Sequence, residues 1–248
     1  LRRRFKGAIM NIFLTVAFLF LLGSMTGWII EVIFRRFFSS ANPERKWINP
    51  GFLEGPYLPL YGFSTVTLYL SARFLSPLFG SEWWQRILLF AIMAAVITFI
   101  EYIAGIIFIK GMKIKLWDYS KEKGNIQGII CPKFSFFWAL LSAIYFFLIH
   151  PAISGGVEWL ASHLSFSFVI GFIYGIMVID FAHSMNIVAK IRKFATDKDI
   201  VVKYEELKSS IRKKNEELAE KTHFILFLKS TRAISDDLKA YFEKIKKK

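Results

Sequence analysis

The sequence predicts an all-α polytopic membrane protein, with about five transmembrane helices and a basic cytoplasmic helical tail. Three observations carry that reading. Of 248 residues, 54% are hydrophobic and 17% aromatic, with 27 Phe; a water-soluble domain of this length could not hide so much apolar side chain. Apolar runs long enough to cross a bilayer recur along the chain. The net charge of +14 is gathered into alternate loops and the tail, as cytoplasmic segments of membrane proteins require.

A helix needs about 20 apolar residues to cross the hydrocarbon layer. Five stretches are expected to do so: 11–34, 57–79, 87–109, 134–150 and 166–187. The first follows the basic start "LRRRFKGAIM" and is too long, without a small-residue cleavage site, for a signal peptide, so a retained helix is expected. The second is preceded by "WINPGFLEGPYLPLYGF" (47–63), which holds Pro50, Pro56 and Pro59, three glycines, Asn49 and Glu54. The third follows Trp83 and Trp84, which suit an interface. The fourth is short, and "PAISGGVEWLASHL" (151–164) extends it as a surface helix, because Pro151 and the Gly155–Gly156 pair break a continuous one. The fifth leads into the tail. The chain thus divides into a transmembrane domain, 1–190, and an amphipathic tail, 194–248.

Loop charge orients the spans. Arg35, Arg36, Arg45 and Lys46 follow the first; Lys110, Lys113, Lys115, Lys121, Lys123 and Lys133 follow the third; 17 Lys and Arg follow the fifth. The other two loops hold only Arg86. The predicted location is the cell membrane, multi-pass, with the N-terminus outside and the C-terminus cytoplasmic. Arg2, Arg3, Arg4 and Lys6 oppose that orientation but are outnumbered. In the tail, Ile200, Tyr204, Leu207, Ile211 and Leu218 recur at helical spacing. "SDDLKAYFEKIKKK" begins with a Ser235 cap and two acids in its first turn. This basic, amphipathic hairpin is expected to lie on anionic lipid; a coiled-coil partner is the alternative. No nucleic-acid motif is present.

Acids inside spans are costly, roughly 2.5–3.5 kcal/mol at a helix centre. Glu31, Glu101 and Asp180 each sit in a span. Those three spans run in one direction, so all three acids fall in the cytoplasmic half. Glu31 precedes Arg35 by one turn and can pair with it. Asp180 has His183 and Ser184 at the next turn. Glu101 has no basic residue within a turn. No HExxH or comparable spacing occurs, so no metal is expected, and no cofactor motif is present. Cys131 is the single cysteine and excludes an internal disulfide.

Two irregular segments enter spans from the cytoplasmic side: 49–62, and "KLWDYSKEKGNIQGIICPKFSFFW" (115–138). Irregular backbone at membrane depth is tolerated where it lines a cavity or is buried in protein. The expectation is a polar pocket open to the cytoplasm, with 49–62 and 117–135 as floor and rim and the three acids as wall. Its candidate substrate-binding residues are Glu31, Arg35, Asn49, Glu54, Tyr61, Glu101, Trp117, Asp118, Tyr119, Asn125, Asp180 and His183.

At "GWIIE" (27–31), "NPGFLEGPYLPLYG" (49–62), "EY" (101–102), "WDYS" (117–120) and "NIQGIICPKFSFFW" (125–138), the chain resembles the putative ABC-transporter type IV, or CmpB-like, family. The resemblance covers roughly 11–187 and leaves out the basic tail. It implies a permease. The family pattern often has an arginine where this chain has Pro50, and another where it has Ile129; if those arginines bind an anion, this chain has lost that contact or moved it to Arg35, Arg36 or Lys133. No GxxxxGK[ST] occurs, so any ATPase is a separate subunit. No internal repeat links the halves.

Three functions are carried forward. The first is a transporter or permease component for a small polar or lipid-like substrate, with Glu101 as coupling acid or counter-charge. The second is a membrane-embedded enzyme acting on a lipid headgroup, with Glu101 or Asp180 as base and Asn49, Asp118 and Asn125 orienting substrate. The third is a scaffold, homo-oligomeric or not, that recruits a partner through its tail.

Overall fold

The computed structural model describes residues 2–39, 42–80, 82–151, 156, 159, 163–218, 238–240, 242 and 243. It is mostly helical. α1 is Arg2–Phe37, α2 Pro59–Leu75, α3 Trp83–Ile106, α4 Pro132–Ile144, α5 Leu164–Asp197 and α6 Tyr204–Leu218. α2 runs on into a 3-10 turn over Ser76–Leu78, and α3 and α4 each end in a π turn, over Ile107–Gly111 and Tyr145–Ile149. Most of the 151–164 stretch, and the Ser235 cap with most of its helix, lie outside the described residues.

Sequence signals fix the helix ends. α1 ends with Arg35 and Arg36 in its last turn, favourable to its dipole. The buried Asn42 side chain then donates to the carbonyls of Arg35 (3.0 Å) and Lys46 (2.8 Å) and holds the turn. α2 and α4 each start with a proline in the first turn, where no N–H is needed. α3 is closed by a reciprocal cap between Glu82 and Gln85.

Four helical segments are long and apolar enough to cross a membrane: Ile12–Phe37, Trp83–Gly111, Pro132–Ile149 and Ser165–Asp197. The expected count was five; α2, at 17 residues, falls below the usual spanning length because Pro59 starts it late and Pro77 ends it early. Phe136 and Leu148 on α4, and Phe168, Phe172 and Ile179 on α5, are exposed, which suits a lipid solvent and not water.

α1 and α2 pack antiparallel and very close. A Cβ at Gly27 would fall inside the Tyr61 side chain, one at Gly23 would strike Thr65, and one at Gly62 would strike Ser24 and come within 2.7 Å of the Phe20 carbonyl. Small residues four apart let helix backbones approach where no hydrophobic effect drives them together. α3 and α4 complete a bundle around Leu19, Leu68, Tyr69, Ala72, Leu89, Met93, Ile97, Trp138 and Tyr145. α5 stands to one side. It meets α1 through Tyr174, whose hydroxyl donates to the Ala17 carbonyl (2.7 Å) and whose ring stacks on Phe20.

The end of the molecule formed by the third loop and the C-terminal part of α5 departs from the expectation. α5 is one helix to Asp197, so the boundary placed at 194 falls inside it. Beyond it, Val202–Lys203 (β2) pairs parallel with Ile114–Lys115 (β1), with Ile114 opposite Val202. Tyr204 and Leu207 of α6 then bury against Ile114, Ile187, Val188 and Ile191, with Ile200 and Ile211 packed alongside. Between Ile200 and Ile211 the apolar face expected on lipid is covered by the chain's own α5 and third loop; Leu218 and most of the later apolar positions lie outside the described side chains.

Candidate functional site

The candidate residues separate into two polar clusters and two folded loops. In the first cluster, Glu31 on α1 accepts from Arg35 Nε (2.9 Å) and from the Tyr61 hydroxyl of α2 (3.1 Å). Arg35 NH1 reaches a second carboxylate, Glu205 of α6, at 2.6 Å. Glu101 of α3 accepts from the Tyr119 hydroxyl at 3.3 Å, and Glu31 is near enough to act on it electrostatically. Tyr119 stacks on Phe134 (4.2 Å, 7°) and Tyr61 packs on Trp138 (4.9 Å). Glu101 is 2% exposed; the Trp138 side chain also acts on its carboxylate, although no hydrogen bond of ordinary geometry reaches Oε2.

The second cluster surrounds Asp180 of α5. Its carboxylate accepts from Glu54 N (3.1 Å), Gly55 N (2.9 Å), the Tyr57 hydroxyl (2.6 Å) and the Ser184 hydroxyl (3.1 Å). His183 lies 3.7 Å from Glu54. Burial pushes the Glu54 carboxyl up; His183 opposes that and Asp180 adds to it. Burial, reinforced by the bond to Asp180, also holds the Tyr57 hydroxyl well above its usual range. The three span acids were expected to share one hollow. Glu31 and Glu101 come together, whereas Asp180 turns to the 53–57 loop, whose backbone amides saturate it.

Asn49, Trp117, Asp118 and Asn125 are spent on building loops. Asn49 accepts from Trp28 Nε1 (2.6 Å) and donates to the carbonyls of Leu53 (3.2 Å) and Glu54 (2.8 Å). The ammonium of Lys208, on α6, caps the carbonyls of Asn49 and Gly51, both at 2.8 Å; burial brings that amine down to about 8. Trp117 Nε1 donates to the Ile129 carbonyl (2.8 Å). Asn125 donates to the Ser120 and Glu122 carbonyls and accepts from Gly128 N. Asp118 binds Lys115 (2.8 Å) and Lys203 (2.7 Å). Burial works against its charge, but Lys115, Lys203 and Ser120 outweigh it and hold the carboxyl well below the usual range.

Four participants were missed by sequence reasoning as site residues. Trp28 stood in a quoted motif without a role, and Tyr57 in another. Glu205 and Lys208 were hidden in a charged helix, where such residues ordinarily face water. A recess under the third loop is lined by Gly105, Phe108, Ile109, Lys115, Leu116, Trp117 and Ile129; of the candidate residues it touches only Trp117. Among the described residues no three His, Cys, Asp or Glu side chains are placed to hold a metal.

A protein family described as putative ABC-transporter type IV matches residues 18–185, close to the 11–187 over which the resemblance was placed. No curated protein and no solved structure matches the chain.

Proposed function

Since the chain belongs to the putative ABC-transporter type IV family, we propose that it is a membrane transport component. In this reading the Glu31–Arg35–Tyr61–Glu101–Tyr119 cluster receives a small polar or cationic solute, or a lipid headgroup, at the cytoplasmic ends of α1–α4. The observation that carries the reading is Glu101, buried with one carboxylate oxygen that no hydrogen bond of ordinary geometry reaches. An unsatisfied carboxyl in a low-dielectric bundle is costly, and function is the usual reason to keep one. Glu101 is the counter-charge for the solute, and Arg35 holds Glu31 in place.

α2 is the fifth crossing in this proposal, because its contacts run along α1 from Gly27 outward past Gly23. The arginines after α1, the lysines after α3 and the tail then face the cytoplasm. Any ATP-driven step belongs to a separate ATPase subunit.

The test is uptake by the full-length chain in proteoliposomes, across a panel of small cations and polar solutes. Uptake of a panel member that falls to the protein-free background in Glu101→Gln is the expected result. Equal uptake by wild type and Glu101→Gln would falsify the role of Glu101.

A further inference from the structure

We infer that α6 is a strap across the site of the transport reading above, on which this rests: docked, it shuts the Arg35 end of the bundle, and it lifts to admit solute. Three residues at the start of α6 bind three different parts of that end. Glu205 places a carboxylate oxygen 2.6 Å from Arg35 NH1, on the guanidinium whose Nε already holds Glu31. Lys208 donates to the carbonyls of Asn49 and Gly51, both at 2.8 Å. Tyr204 is 3% exposed and stands near enough to Glu54 and Asp180 to feel both electrostatically. One short helix thus touches the Glu31 cluster, the 49–51 turn and the Asp180 cluster. An arginine at the end of a membrane helix ordinarily extends its head to water or headgroups. Under α6 the Arg35 side chain is only 16% exposed.

The polar contacts of α6 are incompletely satisfied. Glu205 Oε1 is buried and finds no hydrogen-bond partner among the described residues. The Lys208 ammonium is desolvated, which brings its amine down to about 8. Half-satisfied buried charges cost stability that an apolar contact would keep. They lower the free energy needed for release, as a moving part requires. The connection to α5 suits a pivot. It is a turn in which Asp199 takes a left-handed backbone, φ 50°, and the Ile200 N–H is tied to the Ala195 carbonyl at 2.9 Å. Beyond that turn, the two-residue pairing of Val202–Lys203 with Ile114–Lys115 and the face of Tyr204 and Leu207 hold α6 down. Lifting takes Glu205 off Arg35 and Lys208 off the 49–51 turn in one movement, because both sit on the same helix. Arg35 NH1, and Glu31 beside it, then meet water.

The experiment uses the full-length chain in lipid nanodiscs of phosphatidylethanolamine and phosphatidylglycerol, with the water-soluble arginine reagent p-hydroxyphenylglyoxal. Modification of Arg35 is read by mass spectrometry against the exposed Arg45. Ile114 and Val202 are register partners, and neighbouring strands stand about 4.8 Å apart, within the reach of a disulfide. Ile114→Cys with Val202→Cys, in a Cys131→Ser background, therefore locks the strap when oxidised. Arg35 of wild type is expected to react slowly but measurably. The oxidised lock slows that reaction and Leu207→Ala, which touches neither polar contact, speeds it, each at least about tenfold. The oxidised lock added to Leu207→Ala returns Arg35 to slow reaction, which general unfolding would not allow. Equal rates in the oxidised and reduced lock overturn the strap. So does a Leu207→Ala rate equal to wild type, a result that needs no disulfide.

Solute uptake in proteoliposomes is read on the same lock. Uptake that stops on oxidation and returns on reduction supports the strap, and uptake indifferent to oxidation overturns it as a gate. Lock-dependent modification of Arg35 in a protein that takes up no member of the panel supports the moving cover and removes the transport reading alone.

Discussion

A single glycine decides how near α2 comes to α1. Gly27 leaves no room for a Cβ beside Tyr61, and Tyr61 in turn delivers its hydroxyl to Glu31. Gly27→Ala is therefore expected to destabilise the protein by about 1–3 kcal/mol, the usual cost of overpacking, and to loosen the Glu31 cluster. Gly171→Ala on α5, where nothing lies within 4 Å of the added methyl, is the control and should be neutral or mildly stabilising. Thermal midpoints of both in one detergent decide the matter; equal midpoints contradict the packing argument. At this scale the sequence was partly readable. Burial cost singled out Glu101 and the Glu31–Arg35 spacing gave their pair. For Asp180 the spacing gave Ser184 as a partner, but not the Tyr57 hydroxyl or the backbone amides of Glu54 and Gly55, which no local pattern announces.

The elements that the sequence could not announce are the shortest ones. Long apolar periods made the helices readable, but β1 and β2 are two residues each, with no period to detect. The burial of Ile114 and Val202 holds them together, and ion pairs beside them add a smaller, pH-dependent share. Asp118 joins Lys115 of β1 to Lys203 of β2. Its folded-state carboxyl lies below the ordinary value, so its contribution is present above that value, about 3.9, and is lost as pH falls toward the folded one. Acidification from neutral to below about 4 is thus expected to release β2 and α6. Amide exchange at Val202, whose N–H donates to the Lys113 carbonyl, should rise over that range. In Asp118→Asn the acid step should vanish; an unchanged step would assign the release to another group. The 49–57 loop repeats the lesson: its prolines and glycines were visible, its bolts from Trp28, Lys208 and Asp180 were not.

Over the whole molecule, residues 200–211 are where composition and placement diverge most. Their charge pattern reads as a surface helix, because hydrophobic spacing shows that an apolar face exists without showing what covers it. In the fold that face is covered from within, with Leu207 at its centre. Leu207→Ala should cost about 2–5 kcal/mol of docking. Brief trypsin treatment would then shorten the tail sooner than in wild type, with the helical bundle intact; equal cleavage rates would mean the contact contributes little. Docking matters beyond the tail, since Arg35 divides its guanidinium between Glu31 in the bundle and Glu205 outside it.

Ile114 meets Val202 across 88 residues of chain, counting 114 to 202. All of α4 and α5 lies between them and must be placed before those two backbones can touch. Closing so wide a loop is slow and comes late. The small parallel clasp therefore forms only once α4 and α5 are in place, and until it does the apolar side chains between Ile200 and Ile211 have nothing to pack on.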